Sequence, residues 1–398
     1  MATFQYWDGS TIELDILVEP RDDLIILPAG IDPHVHFRTP GMEYKEDWRT
    51  AAKATIAGGY TTVFDMPNTL PPTNTLDRLI DKKKIIDAQL AEVGIPLHYD
   101  LFFGADKHHL DQIPLIKDDV IGIKVFMGCS TGNLVIDDDE SLHAIFEIAA
   151  KHQLLVAVHA EDEHILNANK KAALGPLNYA DHSKIRSIEA AQVAVEKAIS
   201  LTRLYGTRLY ILHVSTAEEI QLIKQAKTEN LPVFAETTPH HLFLNDQCYA
   251  SLQGRAVVNP PLRPAHHTEI LFEAINQGII DTIGSDHAPH TLAEKGQAYG
   301  QCPSGMPGIE TTFPLLFTAL HQKLLTLAQI VSLTSHRARE IFSLPPNQDY
   351  VGIYLKKVKI VEKKFLRTKC AWSAFEGQKL TGWPGFTLLN NQLYRVEQ

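Results

Sequence analysis

Short apolar runs rich in β-branched residues recur along the chain, separated by stretches whose apolar positions repeat every three to four residues. The runs are LIILPAGIDPHVHF, TTVFDMP, LHYDLFFG, GIKVFM, LLVAVHA, LYILHVS, VFAETTP and IIDTIGSDH, eight in all between Leu24 and His287. An unbroken apolar run of this length, bounded by turn residues, reads as a strand buried on both faces. The intervening patterns read as helices: Asp47 to Ala57 closed by Gly58 and Gly59, Asp139 to His152, Ile185 to Leu204 closed by Gly206, and Thr216 to Glu229. Strand then helix, repeated, means parallel pairing, because each helix returns the chain to start the next strand in the same direction. Eight such units predict an α/β fold, a (β/α)8 TIM barrel, with an open doubly wound sheet as the competing arrangement.

Outside this span the pattern changes to alternation. The first two dozen residues, and the stretch beyond the Leu344-Pro345-Pro346-Asn347 break with VGIYLKKVKIV and FTLLNNQLYRV, read as strands of a small flanking β-sheet. Residues 1–28 and 347–398 are therefore expected to form that sheet, with a catalytic barrel over 29–346 inserted between them.

Composition narrows the class. At 398 residues and 44% hydrophobic, the chain can bury a large core, and its 23 Gly and 22 Pro are too dispersed for a low-complexity protein. Acidic residues outnumber basic ones 47 to 37, for a net charge of −10, and no long Lys/Arg block offers a stripe for phosphates. Nucleic acid is thereby disfavoured as a partner. The N-terminus lacks a basic segment leading into an apolar one, and no apolar run reaches bilayer length, so a cytoplasmic protein without a membrane partner is expected. Cys129, Cys248, Cys302 and Cys370 form no close-spaced pair, as in a compartment that keeps thiols reduced.

The polar residues at the strand ends carry the chemistry, because a parallel barrel places its reactive groups where strands run out into loops. The first strand ends Asp32-Pro33-His34-Val35-His36, and alternation sends His34 and His36 to the same side. His159 ends LLVAVHA, His213 ends LYILHVS and Asp286 follows IIDTIG. Lys124 sits inside the apolar run GIKVFM, where an unpaired ammonium costs several kcal/mol or loses its proton. One reading pairs it with a buried carboxylate. The sharper one has the neutral amine capture carbon dioxide, giving an N6-carboxylated lysine whose two oxygens bridge two cations. Six ligands, His34, His36, Lys124, His159, His213 and Asp286, are too many for one tetrahedral ion and suit two divalent ions, zinc first. His34, His36 and Asp286 would serve the first, His159 and His213 the second.

The motifs HVHFRTPG, FDMPNTLPPTNT, GIKVFM, VHAEDE, LHVST, AETTPHHLFL, VNPPLRP, SDHAPH and GMPGIETTFPL, in this order, resemble dihydroorotases of the amidohydrolase superfamily over nearly the whole chain. The resemblance implies reversible interconversion of N-carbamoyl-L-aspartate and L-dihydroorotate in de novo pyrimidine (UMP) synthesis, with a small anionic substrate and, by family habit, a homodimer. It implies Asp286 as the catalytic proton carrier, and Arg38, Asn68, Asn259 and His290 as substrate contacts, with Arg38, Asn68 and His290 on the carboxylate. Within this family some members bridge their metals with a carboxylated lysine and others with aspartate, and Lys124 places the chain with the former. The Gly-rich stretch from Pro303 to Gly308 is a candidate lid.

Two alternatives stand beside this reading. A hydantoinase, dihydropyrimidinase or allantoinase would share the metal site but act on rings without the carboxylate, which the Arg38 and Asn68 pair opposes. A non-catalytic scaffold homologue would be expected to have lost ligands that are all present here. Glu236, His240, His241, His266 and His267 are set aside as ligands: His240 and His241 are expected to make structural hydrogen bonds or to support the ligands from behind, and His266 and His267 to be solvated at the start of a helix. Cys129 and Cys302 are expected to be inert thiols.

Overall fold

The computed structural model describes residues 1–128 and 134–396, so Cys129 lies outside the described residues. Three strands, β1 (Ala2–Tyr6), β2 (Thr11–Leu14) and β3 (Leu24–Pro28), precede the barrel. Its eight strands follow: β4 (Gly30–Val35), β5 (Tyr60–Asp65), β6 (His98–Gly104), β7 (Gly122–Phe126), β8 (Leu155–His159), β9 (Arg208–Ile211), β10 (Val233–Thr237) and β11 (Thr282–Ile283). They pair in chain order and all in parallel. Between β11 and β4 the ring is joined by a bridge from Val35 to His287, where His36 N donates to His287 O at 2.9 Å.

The first apolar run proves to be two strands. Leu24–Pro28 leaves the barrel and pairs antiparallel with Tyr350–Tyr354, and only from Gly30 does the chain join β5. Gly30 makes the passage because a Cβ there would stand 2.4 Å from the Tyr60 ring. The outer sheet contains β12 (Tyr350–Ile360), β13 (Lys379–Leu389) and β14 (Gln392–Arg395), in the order β14-β13-β12-β3-β1-β2. Both ends of the chain thus meet in one sheet with its own core of Phe4, Leu14, Leu24, Ile26, Phe386 and Leu388.

Local sequence sets the helix bounds. Asp47 accepts from Arg49 N and Thr50 N to start the helix Trp48–Ala57, and Thr216 and Glu219 form a capping box ahead of Ala217–Thr228. The helix expected from Ile185 begins instead at Ile188, capped by Ser187, and ends at Gly206 in the left-handed conformation, φ 71°. It starts late because Arg186 turns inward, buried, to pair with Glu161.

Inside the ring, Ile31, Phe64, Phe102, Leu155, Ala157 and Tyr210 pack with Phe342, whose ring lies 4.8 Å from that of Phe64. This apolar plug closes the end where strands begin, leaving polar groups to the end where they finish. No helix among the described residues is long and apolar enough to cross a membrane.

Candidate active site

At the C-terminal ends of the strands, side chains from six of them converge on one cavity. It is lined by His34, His36, Arg38, Asn68, Lys124, Phe126, His159, His213, Asn259, Asp286, Ala288, Ser304 and Gly305. Nine of the ten residues singled out in the sequence are among them. His290 is the exception: it stands buried behind Arg38, its Nε2 3.0 Å from Arg38 Nη2.

The donors form two groups. His34 Nε2 and His36 Nε2 lie 3.4 and 3.1 Å from Asp286 Oδ1, while His159 Nδ1 faces His213 Nε2 at 2.9 Å. The two groups adjoin, the His34 and His213 rings being 5.4 Å apart. Lys124 projects from β7 into the same cavity, with Nζ 4.7 Å from the Phe126 ring centroid and no carboxylate at ion-pair distance among the described residues. The buried-pair reading of Lys124 therefore finds no partner.

For His34, His36 and His159 the outward nitrogen is held by a neighbour, which orients the ring. His36 Nδ1 donates to Asn68 Oδ1 at 2.8 Å, and His159 Nε2 to Glu161 Oε2 at 2.9 Å. Arg186 grips that Glu161 from the other side; burial alone would raise its carboxyl, but Arg186 and His159 hold it well below the usual range. His34 Nδ1 lies 2.8 Å from Glu236 Oε1, whose other oxygen accepts from Tyr210 at 2.9 Å. With the outer nitrogen occupied, the inner one presents a lone pair to the cavity.

Burial drives the remaining groups toward neutrality. It lowers His34 to about 3, His36 and His159 to about 4 and Lys124 to about 7, and raises Glu236 to about 8. Asp286 alone goes the other way: burial works against its charge, but His34 and His36 outweigh it and hold the carboxyl far below its usual range. Converging lone pairs, one buried carboxylate and an amine that burial makes easy to deprotonate form a set that divalent cations would complete. The donor atoms of His34, His36 and Asp286 lie within 4.8 Å of one another, close enough for one cation to be held by all three. Strain marks the same place, since Arg38 (φ 63°), His213 (φ 41°) and Asp286 (φ 44°) all occupy the left-handed region, which non-glycine residues enter at a cost of roughly 1 kcal/mol or more.

The sequence alone assigns none of the supporting residues its role. Glu236, set aside as a ligand, backs His34, and Glu161 backs His159. Asp65 Oδ1 accepts from Phe37 N at 2.7 Å, fixing the backbone just before Arg38, and is neutralised by Lys82 at 2.5 Å. The one signal available was an acidic residue inside or just beyond an apolar run, as in VFAETTP and VHAEDE. His241 is structural, bonding Thr238 Oγ1 and Pro260 O. His267, expected in solvent, is instead buried: its Nδ1 accepts from Ala217 N, the first residue of the helix Ala217–Thr228, while His266 is exposed. Cys302 is buried among backbone carbonyls, and burial raises its thiol.

The chain is similar to known proteins over nearly its full length. The Amidohydrolase family profile matches residues 25–348. Dihydroorotase from Methanosarcina acetivorans is 34% identical over 96% of this chain and 84% of its own; that of Halobacterium salinarum is 33% identical over 96% and 89%. Among solved structures, the L-hydantoinase of Arthrobacter aurescens superposes with a TM-score of 0.89 at 26% identity, covering 98% of this chain and 94% of its own. Dihydropyrimidinase from Brevibacillus agri gives 0.87 at 26% identity, covering 100% and 94%. The converging donors at the barrel mouth and near-full-length kinship lead to one conclusion: this chain belongs to the amidohydrolase family, within its dihydroorotase group.

Proposed function

We propose that the protein is a zinc-dependent dihydroorotase, closing N-carbamoyl-L-aspartate to L-dihydroorotate and opening it again, as a step toward UMP. His34, His36 and Asp286 would hold one ion, His159 and His213 a second, and N6-carboxylated Lys124 would lie between them. When bound, the ions supply acidified water and a polarised amide carbonyl. Asp286 Oδ1 sits between the two imidazoles, placed to take a proton from the attacking water and return it to the ring nitrogen. Arg38 and Asn68 hold the substrate carboxylate, Asn259 the ring, and His290 acts beside Arg38.

The observation that carries the substrate assignment is Arg38. Its guanidinium is buried at 2% exposure, lines the cavity, donates Nε to Pro289 O, and has no carboxylate at ion-pair distance among the described residues. A buried cation without its anion is strongly unfavourable, so a carboxylate-bearing ligand fits that position. The closest competing reading, a hydantoinase or dihydropyrimidinase, draws support from the structural likeness, but those rings would leave Arg38 unpaired.

Metal analysis together with a carbamoyl-aspartate cyclisation assay tests the proposal. The expected result is about two zinc ions per chain and cyclisation that Asp286→Ala abolishes in a folded protein. Arg38→Met should raise KM for dihydroorotate about tenfold or more, the worth of a charged hydrogen bond. Preferred turnover of dihydrouracil or hydantoin by the wild type would replace this assignment with the competing one.

A further inference from the structure

Lys45 is used by none of the readings above. It is buried at 6% exposure behind Arg38, its Nζ 2.9 Å from Glu294 Oε1 and 3.1 Å from His290 Nδ1. An ammonium has only donors, so Nδ1 must accept, and a neutral imidazole then carries its proton on Nε2. Burial, with Arg38, Lys45 and Lys295 close by, keeps that imidazole neutral.

Nε2 faces two groups, Ser304 O at 3.0 Å and Arg38 Nη2 at 3.0 Å. With the proton on Nε2, His290 donates to Ser304 O and offers Arg38 no acceptor. The other tautomer would turn an N–H against the Lys45 ammonium and a lone pair against the Ser304 carbonyl, losing two contacts to gain one. Arg38 Nη2 and His290 Nε2 are therefore two donors side by side, next to a cavity that Arg38 and Ser304 line. Two adjacent donors are reconciled by one shared anion.

We propose that Lys45 is a positioning residue for substrate selection: by donating to His290 Nδ1 it fixes His290 as an Nε2–H donor, and His290 with Arg38 then forms a paired receptor for the substrate carboxylate. This rests on the dihydroorotase reading and extends it to a residue outside the cavity. On substrate entry a carboxylate oxygen replaces Ser304 O as the acceptor of Nε2–H.

The test compares zinc-loaded wild type with Lys45→Met and Lys45→Arg. The Met variant should raise KM for dihydroorotate about tenfold with kcat and metal content close to wild type, and the Arg variant should recover most of the loss. Selective ¹⁵N-histidine spectra should show His290 protonated at Nε2 in the wild type and a tautomer mixture in Lys45→Met. Lys45→Gln serves if the Met variant does not fold. Unchanged KM in a folded, metal-replete variant, or wild-type His290 protonated at Nδ1, overturns the proposal. If the wild type does not turn over dihydroorotate at all, the activity assignment fails, and the ¹⁵N tautomer still decides the role of Lys45.

Discussion

Burial lowers the Lys124 amine to about 7, with Asp286 and Glu236 only partly opposing the shift and no carboxylate at ion-pair distance among the described residues. Only the neutral amine adds to carbon dioxide, losing a proton to leave a carbamate. Above about pH 7 the reactive form predominates, and below it the inert ammonium does. Metal-free protein incubated at fixed dissolved carbon dioxide, then given zinc and assayed at one common pH, should recover more activity after incubation at pH 8 than at pH 6. Lys124→Ala should recover at neither. Recovery that ignores the incubation pH would set the carbamate aside and leave the lysine without its proposed role.

Among the elements, β10 and β11 meet where Gly284 faces Glu236. A Cβ on Gly284 would stand 2.4 Å from the Glu236 carboxyl, the far end of a movable side chain, so Gly284→Ala displaces that carboxyl without breaking backbone. The fold should survive with its melting temperature little changed. Zinc affinity should fall about ten- to hundredfold as His34 loses the partner of its Nδ1, measurable by competition with a chromogenic chelator; unchanged affinity would deny Glu236 its orienting part. This contact also marks what the sequence could and could not convey. Strands, caps and the HxH pair are local patterns, written in alternation, in Asp47 and Thr216 as caps, and in Gly206 as a stop. Glu236 reaches His34 across 202 positions, and Lys45 reaches His290 across 245; pairings of that kind depend on how the ring closes. The pattern reads the first apolar run as one strand even though it ends the flanking sheet at residue 28, since both halves are apolar and only their partners differ.

For the whole molecule, the weak place is the seam of the barrel. β11 is two residues long, pairs with β10 through Glu236–Thr282 and Thr237–Ile283, and is joined to β4 by the Val35–His287 bridge. His34 and His36 stand on one side of that seam and Asp286 on the other, so a cation shared by the three would fasten it, while His159 and His213 belong to strands already paired on both sides. Removal of metal should therefore lower stability unevenly. The linkage amounts to about 4 kcal/mol at a free zinc concentration a thousandfold above Kd, seen as a melting temperature that falls on chelation and climbs again with added zinc. Hydrogen exchange should show where it acts: amides of residues 282–288 should lose protection on chelation before those of β6 and β7, which are laddered to a neighbouring strand on each side. A uniform loss around the ring, or none at the seam, would mean that the barrel closes through its own packing and that the donors meet there for chemistry alone.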